Sequence, residues 1–242
     1  MNQYKTCSEL KDMAKGRMER NYAASIVVIL SVAFIQYLTT ELLTMLIPAD
    51  TTAKFILYRL ILFFISSFLG VFELGVCLFF LNIACHQPAR TDNIFYGYQN
   101  NSTSALLISF IKNALSTIAL IPFLIFAKYY MTTNDKTYII GMFISGMIGL
   151  LIYYPIQLAI SQSYFLLLDF PEYTAFQALK NSCKLMKNNM LRLFFIQLSF
   201  LPLNILCIFT LGIGYLWLTP YKNMTYTLFF LDLMNTNTVS KA

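Results

Sequence analysis

The chain has 242 residues, of which 58% are hydrophobic and only 12% charged. A soluble domain carries about 25% charged residues, so this composition excludes a water-soluble globule and points to lipid as the surrounding medium. The net charge of +6 does not indicate nucleic-acid binding, because the lysines and arginines gather at the ends of long apolar runs, where the positive-inside rule places them.

In chain order, residues 1–21 form a basic, helix-period segment. Thr6 and Glu9 have the spacing of a capping box. Cys7, Leu10, Met13 and Ala14 share one face, and Lys5, Lys11, Lys15, Arg17 and Arg20 form a basic block before the first apolar run. The apolar core of a secretory signal is about 7–15 residues long. The run from Tyr22 to Ile47 is longer and has no small-residue cleavage site after it, so it reads as an uncleaved signal anchor.

Crossing a bilayer takes about 20 apolar residues. Six segments are expected to do so, at 22–47, 55–85, 105–130, 138–168, 191–210 and 215–234, within one membrane domain over residues 22–234. The second and fourth are too long for upright helices and are expected to tilt or project beyond the bilayer. A polar loop with Pro88 and the aromatic–glycine run FYGYQN separates the second from the third, and Pro155 lies inside the fourth. The sixth is the weakest, with Pro220 and Lys222 in it; a polar tail, 235–242, follows. The fold expected is an all-α, polytopic transmembrane bundle with two amphipathic interfacial helices, one at the N-terminus and one between spans four and five.

That second helix lies in the stretch around which the chain is organised, Leu166 to Lys187. At 100° per residue, Ala175, Ala178, Leu179, Ser182, Leu185 and Met186 fall on one arc, with Lys180, Lys184 and Lys187 opposite. Such a helix is expected to lie in the interface with its lysines toward water or anionic headgroups. It serves either as a connector that fixes topology or as a lipid- or partner-binding surface. With six spans, the side holding the N-terminus, the FYGYQN loop, this helix and the tail carries ten Lys and Arg against three on the other. Both termini are therefore expected in the cytoplasm, and the location is a plasma membrane.

Ionisable groups inside apolar spans are costly and face protein or water. Glu73, in LGVFELGV, is the leading candidate for a proton- or cation-coupled site, with a helix-pairing carboxyl as the structural alternative. Asn82, Gln157, Gln162, Gln197 and Asn204 either line a cavity or hydrogen-bond across helices, at about 0.6 kcal/mol each. Lys112–Asn113 and Lys222–Asn223 interrupt the third and sixth spans, where either lysine can meet a phosphate headgroup or pair with Glu73. Snorkelling accounts for Lys112, whereas Lys222 follows a proline that frees a backbone carbonyl. Gly141, Ser145 and Gly149, four residues apart, mark a close helix–helix approach.

Five scattered cysteines imply neither a disulfide framework nor a zinc site, and one histidine, His86, excludes a multi-histidine metal centre. No nucleotide-binding loop or hydrolase signature is present, so no catalytic residue, metal or cofactor is expected.

Several runs together resemble a known family, the bacterial integral membrane proteins of domain of unknown function 975. They are LKDMAKGRMERNYAASIVVIL, GVFELGVCLFFLNIA with IFYGY, YYPIQLAISQSYFLLLDFPE, AFQALKNSCKLMKNNMLRLFFIQLSF and TLGIGYLWLTPYKNMTYTLFF. The chain departs from the family pattern at Asn188–Asn189 and Leu201–Pro202. The resemblance implies a bacterial, multi-span helical protein but no reaction and no catalytic residues. A looser likeness to membrane domains of some glycerophosphodiester phosphodiesterases suggests a lipid-facing role by analogy.

Three functions follow. The first is a non-enzymatic scaffold or accessory protein that binds anionic lipid headgroups through Lys180, Lys184 and Lys187, or binds a membrane partner or a second copy. The second is a small transporter or channel built on Glu73, Asn82, Gln157, Gln197 and Lys222. The third, an intramembrane hydrolase using His86, has least support.

Overall fold

The computed structural model describes residues 4–47 and 51–239, with side chains through 236. All regular structure among them is helical. Helix α1 is Cys7–Met18, α2 Tyr22–Leu46, α3 Thr52–Leu69, α4 Phe72–Ala84, α5 Tyr96–Gln99, α6 Ser102–Thr133, α7 Thr137–Ile160, α8 Ser163–Asp169, α9 Ala175–Met186, α10 Met190–Leu198, α11 Leu201–Phe209 and α12 Tyr215–Val239. A 3-10 turn, Thr91–Phe95, precedes α5. Pro48 and the last residues of the tail lie outside the described residues.

Among the described residues, five stretches are long and apolar enough to cross a membrane: Tyr22–Leu46, Thr52–Ala84, Ser102–Thr133, Thr137–Asp169 and Met190–Phe209. In the third and fourth, 0% of the most apolar window is buried inside the protein. Large side chains such as Ile118 and Ile125 on α6 and Phe143 and Leu151 on α7 therefore point outward. An apolar surface of this extent needs lipid to cover it.

Three of these five stretches are not single helices. The expected span 55–85 divides at Gly70–Val71, 138–168 divides at Ser161–Gln162, and 191–210 divides at Ser199–Phe200. Breaks, rather than tilt alone, take up the excess length of the second and fourth. Pro155 does not cause the break in the fourth; it lies inside α7, and the helix ends later.

The expected sixth span is one continuous helix, α12, but it falls short of the apolarity that the other five reach. The reason is its position. α12 packs against α1, α2, α4 and α11, and Met224, Thr225, Thr227, Phe229 and Leu233 on it are fully buried. A helix enclosed by protein can carry hydroxyls: Thr225 and Thr227 donate to the carbonyls of Tyr221 and Asn223 one turn back.

The two predicted amphipathic helices have the predicted faces but different cover. Leu10, Ala14 and Met18 of α1 are buried, and α1 runs along α12. Ala175, Ala178, Leu179, Ser182 and Met186 of α9 are buried against α6, α7 and α8. Protein, not lipid, covers both apolar faces. The α1 capping box forms as its spacing predicts: Glu9 accepts from the Thr6 amide at 2.7 Å and from the Thr6 hydroxyl at 2.9 Å.

The α6–α7 hairpin closes through Asn134 in the left-handed region, φ 54°. Asp135 then accepts from the Thr137 amide at 3.0 Å, and this bond holds its carboxyl below the usual value. Close approach follows from the small residues. A Cβ on Gly149 would stand 2.4 Å from the Ala119 carbonyl oxygen, and one on Gly141 would stand 2.7 Å from the Phe126 ring.

Candidate functional site

The helix breaks need partners for the backbone groups they release, since unsatisfied polar backbone at membrane depth costs several kcal/mol. At the α3–α4 break, Tyr164 on α8 donates its hydroxyl to the Gly70 carbonyl at 3.3 Å. Tyr98, on α5, donates to the Phe68 carbonyl at 2.7 Å. Burial pushes the Tyr98 phenol up to about 12, so it remains a donor. Asn113 on α6 donates to the Phe63 carbonyl at 2.9 Å and to the hydroxyls of Ser66 and Ser67 at 2.6 and 2.9 Å. Gly70 lets α6 come close: a Cβ there would stand 2.0 Å from Ser109 Oγ, so the serine hydroxyl would have to turn away.

At the α7–α8 break the partner comes from α9. Ser182 donates to the Ala159 carbonyl at 2.8 Å and accepts from the Gln162 amide at 3.2 Å. A serine on an otherwise apolar arc thus has a specific task. At the α10–α11 break, Lys11 of α1 donates to the Ser199 carbonyl at 3.0 Å while its ammonium stands 4.2 Å from the centroid of the Phe200 ring.

Between these breaks lie two adjoining cavities, of about 740 and about 460 Å³. Ligand pockets run from about 300 to 1,000 Å³. Their common wall includes Gln36, Glu73, Lys112, Tyr164, Gln197 and Asn223. The larger extends past Gly70 to Thr40, Ser116 and Tyr153, and the smaller past Gln162 to Thr219 and Thr227. Among the described lining residues, Glu73 and Lys112 alone are charged.

Those two form an ion pair, Lys112 Nζ to Glu73 Oε2 at 3.5 Å. The Glu73 side chain is 57% exposed and that of Lys112 23%, and the space they face is the cavity. The Lys112 ammonium also stands 3.9 Å from the centroid of the Tyr164 ring, a cation–π contact that fixes its position. Tyr154 and Gln197 hydrogen-bond to each other across the same wall.

Of the five residues assigned to a transport site from the sequence, the structure brings Glu73, Gln157 and Gln197 to the larger cavity. It leaves out two. Asn82, toward the far end of α4, does not line it. Lys222 does not pair with Glu73; it donates to Asn204 Oδ1 at 2.5 Å, tying α12 to α11. Lys112, read from sequence as snorkelling, instead turns inward to Glu73, which stands in the first turn of α4 just past the end of α3, the helix that packs along α6. Lys180, Lys184 and Lys187 are exposed. His86, at φ 57°, contacts the Arg17 guanidinium.

Sequence reasoning missed a second charge cluster. Arg192 on α10 pairs with Asp232 on α12, which is 7% exposed. The same Asp232 carboxylate accepts from the Lys5 amide at 3.3 Å, and Arg192 donates to the Lys5 carbonyl at 2.7 Å. The cluster pins the chain entering α1 to the end of the bundle. The signal was an aspartate inside the apolar run LFFLDLM, as conspicuous as Glu73.

The model of a family of proteins of unknown function, DUF975, matches residues 1–237. The chain belongs to the DUF975 family. No curated protein and no solved structure matches it. For this DUF975 protein, the functional reading therefore rests on the cavity's own chemistry.

Proposed function

We propose that this DUF975 protein is a membrane-embedded binding protein or transporter for a small polar solute, without a catalytic role. It would lie in a bacterial plasma membrane with both termini cytoplasmic. The observation that carries this reading is the Glu73–Lys112 pair facing a polar cavity between broken helices. An ion pair with one partner more than half exposed contributes at most about 1 kcal/mol of net stability. Amides, hydroxyls and an ion pair around open space are the chemistry of a polar ligand site. Interrupted helices at depth, with their backbone groups turned to a cavity, recur in transporters.

In proteoliposomes, the purified protein should carry at least one member of a panel of small polar solutes faster than empty vesicles do. Glu73→Gln should lower that flux at least tenfold. No flux above empty vesicles across the panel would overturn the transport reading.

The exposed lysines favour a second, compatible role, attachment to anionic lipid by the outer face of α9 as part of a scaffold. Reversing Lys180, Lys184 and Lys187 to glutamate should then weaken anionic-lipid binding by severalfold at low salt and make little difference at high salt. Binding that is the same before and after charge reversal would remove this role.

A further inference from the structure

We propose that the cavity takes a zwitterionic group, an ammonium close beside a carboxylate or phosphate, and that the Glu73–Lys112 pair receives both of its charges. The inference rests on the reading of the cavity as a ligand site and names its ligand class.

The first argument is charge balance. The described wall of the two cavities holds one carboxylate and one ammonium. A lone anion drawn to Lys112, or a lone cation drawn to Glu73, would leave the pocket with an unbalanced charge away from bulk water, which is costly. A zwitterion adds no net charge and gives each protein group an opposite partner.

The second is donor and acceptor count. An ammonium has three N–H donors. Glu73 stands on one side of Lys112 and the Tyr164 ring on another, at 3.5 and 3.9 Å. The remaining donor capacity is directed to an anion in the cavity. Glu73, more than half exposed, has acceptor capacity for a ligand ammonium.

The third observation is independent of the pair. Gln162 lines the smaller cavity and is 2% exposed. Its Nε2 donates to Ser161 Oγ at 2.8 Å, whereas its Oε1 is buried without a hydrogen-bond partner. That acceptor, unpaired within the protein, adds a polar group to the residues around the cavity.

Adjacent receptor charges require adjacent ligand charges. The fit is to an amino-acid-like solute or a phosphoethanolamine headgroup, not to an extended chain charged at its two ends.

The test is calorimetric titration of the full chain in an uncharged detergent with glycine, glycerophosphoethanolamine, a short-chain phosphatidylethanolamine, acetate and methylammonium. At least one zwitterion should bind at least tenfold more tightly than acetate and methylammonium. Glycine binding would identify a free solute as the source; binding confined to the two phosphoethanolamine probes would identify a headgroup.

Glu73→Gln should shift preference toward acetate, and Lys112→Met toward methylammonium. The neutral Glu73→Gln/Lys112→Met double variant, checked for a cooperative thermal transition, should bind none of the probes. A purely structural pair gives no reciprocal change of preference. Acetate or methylammonium binding as tightly as every zwitterion overturns the ligand class and leaves the cavity reading standing. Zwitterion binding that survives both single variants overturns the role of the pair. No binding of any probe overturns the proposal, while solute flux judges the cavity reading separately.

Discussion

At the scale of single residues, the polar groups of this chain work chiefly where helices break. Ser182 is the clearest case. Its hydroxyl joins the Ala159 carbonyl to the Gln162 amide across the α7–α8 break, and the residue is fully buried. Ser182→Ala removes both bonds and leaves two buried backbone groups without their partner, at a cost of about 1–3 kcal/mol. The variant should melt at a lower temperature than the parent in the same detergent. An unchanged midpoint would show that another group completes the break. Tyr164 has two tasks of the same kind, donating to the Gly70 carbonyl and presenting its ring to Lys112.

At the scale of elements, α1 is held by two devices, its capping box and its contacts with Ser199 and Asp232. Hydrogen bonds from the backbone and side chain of Thr6 lower the Glu9 pKa. A carboxyl whose folded pKa is depressed stabilises the fold above its unfolded value and loses that contribution as the pH falls through the folded one. Acidification below the usual carboxylate range should therefore lower the protection of the first-turn amides of α1 relative to their intrinsic exchange rate at the same pH. Glu9→Gln, which keeps an acceptor but cannot titrate there, should lack this dependence. If both chains respond equally, the cap is not the cause.

Element positions were legible in the sequence, because apolar length and helical period identify α2, α6, α7 and α9 directly. The breaks were not, because each is completed from elsewhere in the chain: Ser109 opposite Gly70, Ser182 across α7–α8, Lys11 at Ser199. The same cause hid half of the site. Glu73 is conspicuous in its own span, but Lys112 looks like a snorkelling lysine until α6 is seen packed along α3, with Glu73 just past the break. Gln162 reads as one amide among several until its open acceptor is placed in a wall.

At the scale of the whole molecule, an outward-facing apolar surface on α6 and α7 accompanies an enclosed polar interior. α12 resolves the apparent contradiction of a weakly apolar helix in a membrane protein, since its neighbours are α1, α2, α4 and α11 rather than lipid. The central claim is that water and small polar solutes reach the space beside the Glu73–Lys112 pair. Substituted-cysteine labelling tests it most directly, in a chain whose five native cysteines are replaced. Thr40→Cys and Asn223→Cys, on the two sides of the pair, should react with a small water-soluble thiol reagent. Ile144→Cys, on the outward apolar face of α7, should not. Reaction at both cavity positions but not at 144 is the predicted result; failure of both, with the protein folded, would contradict the account.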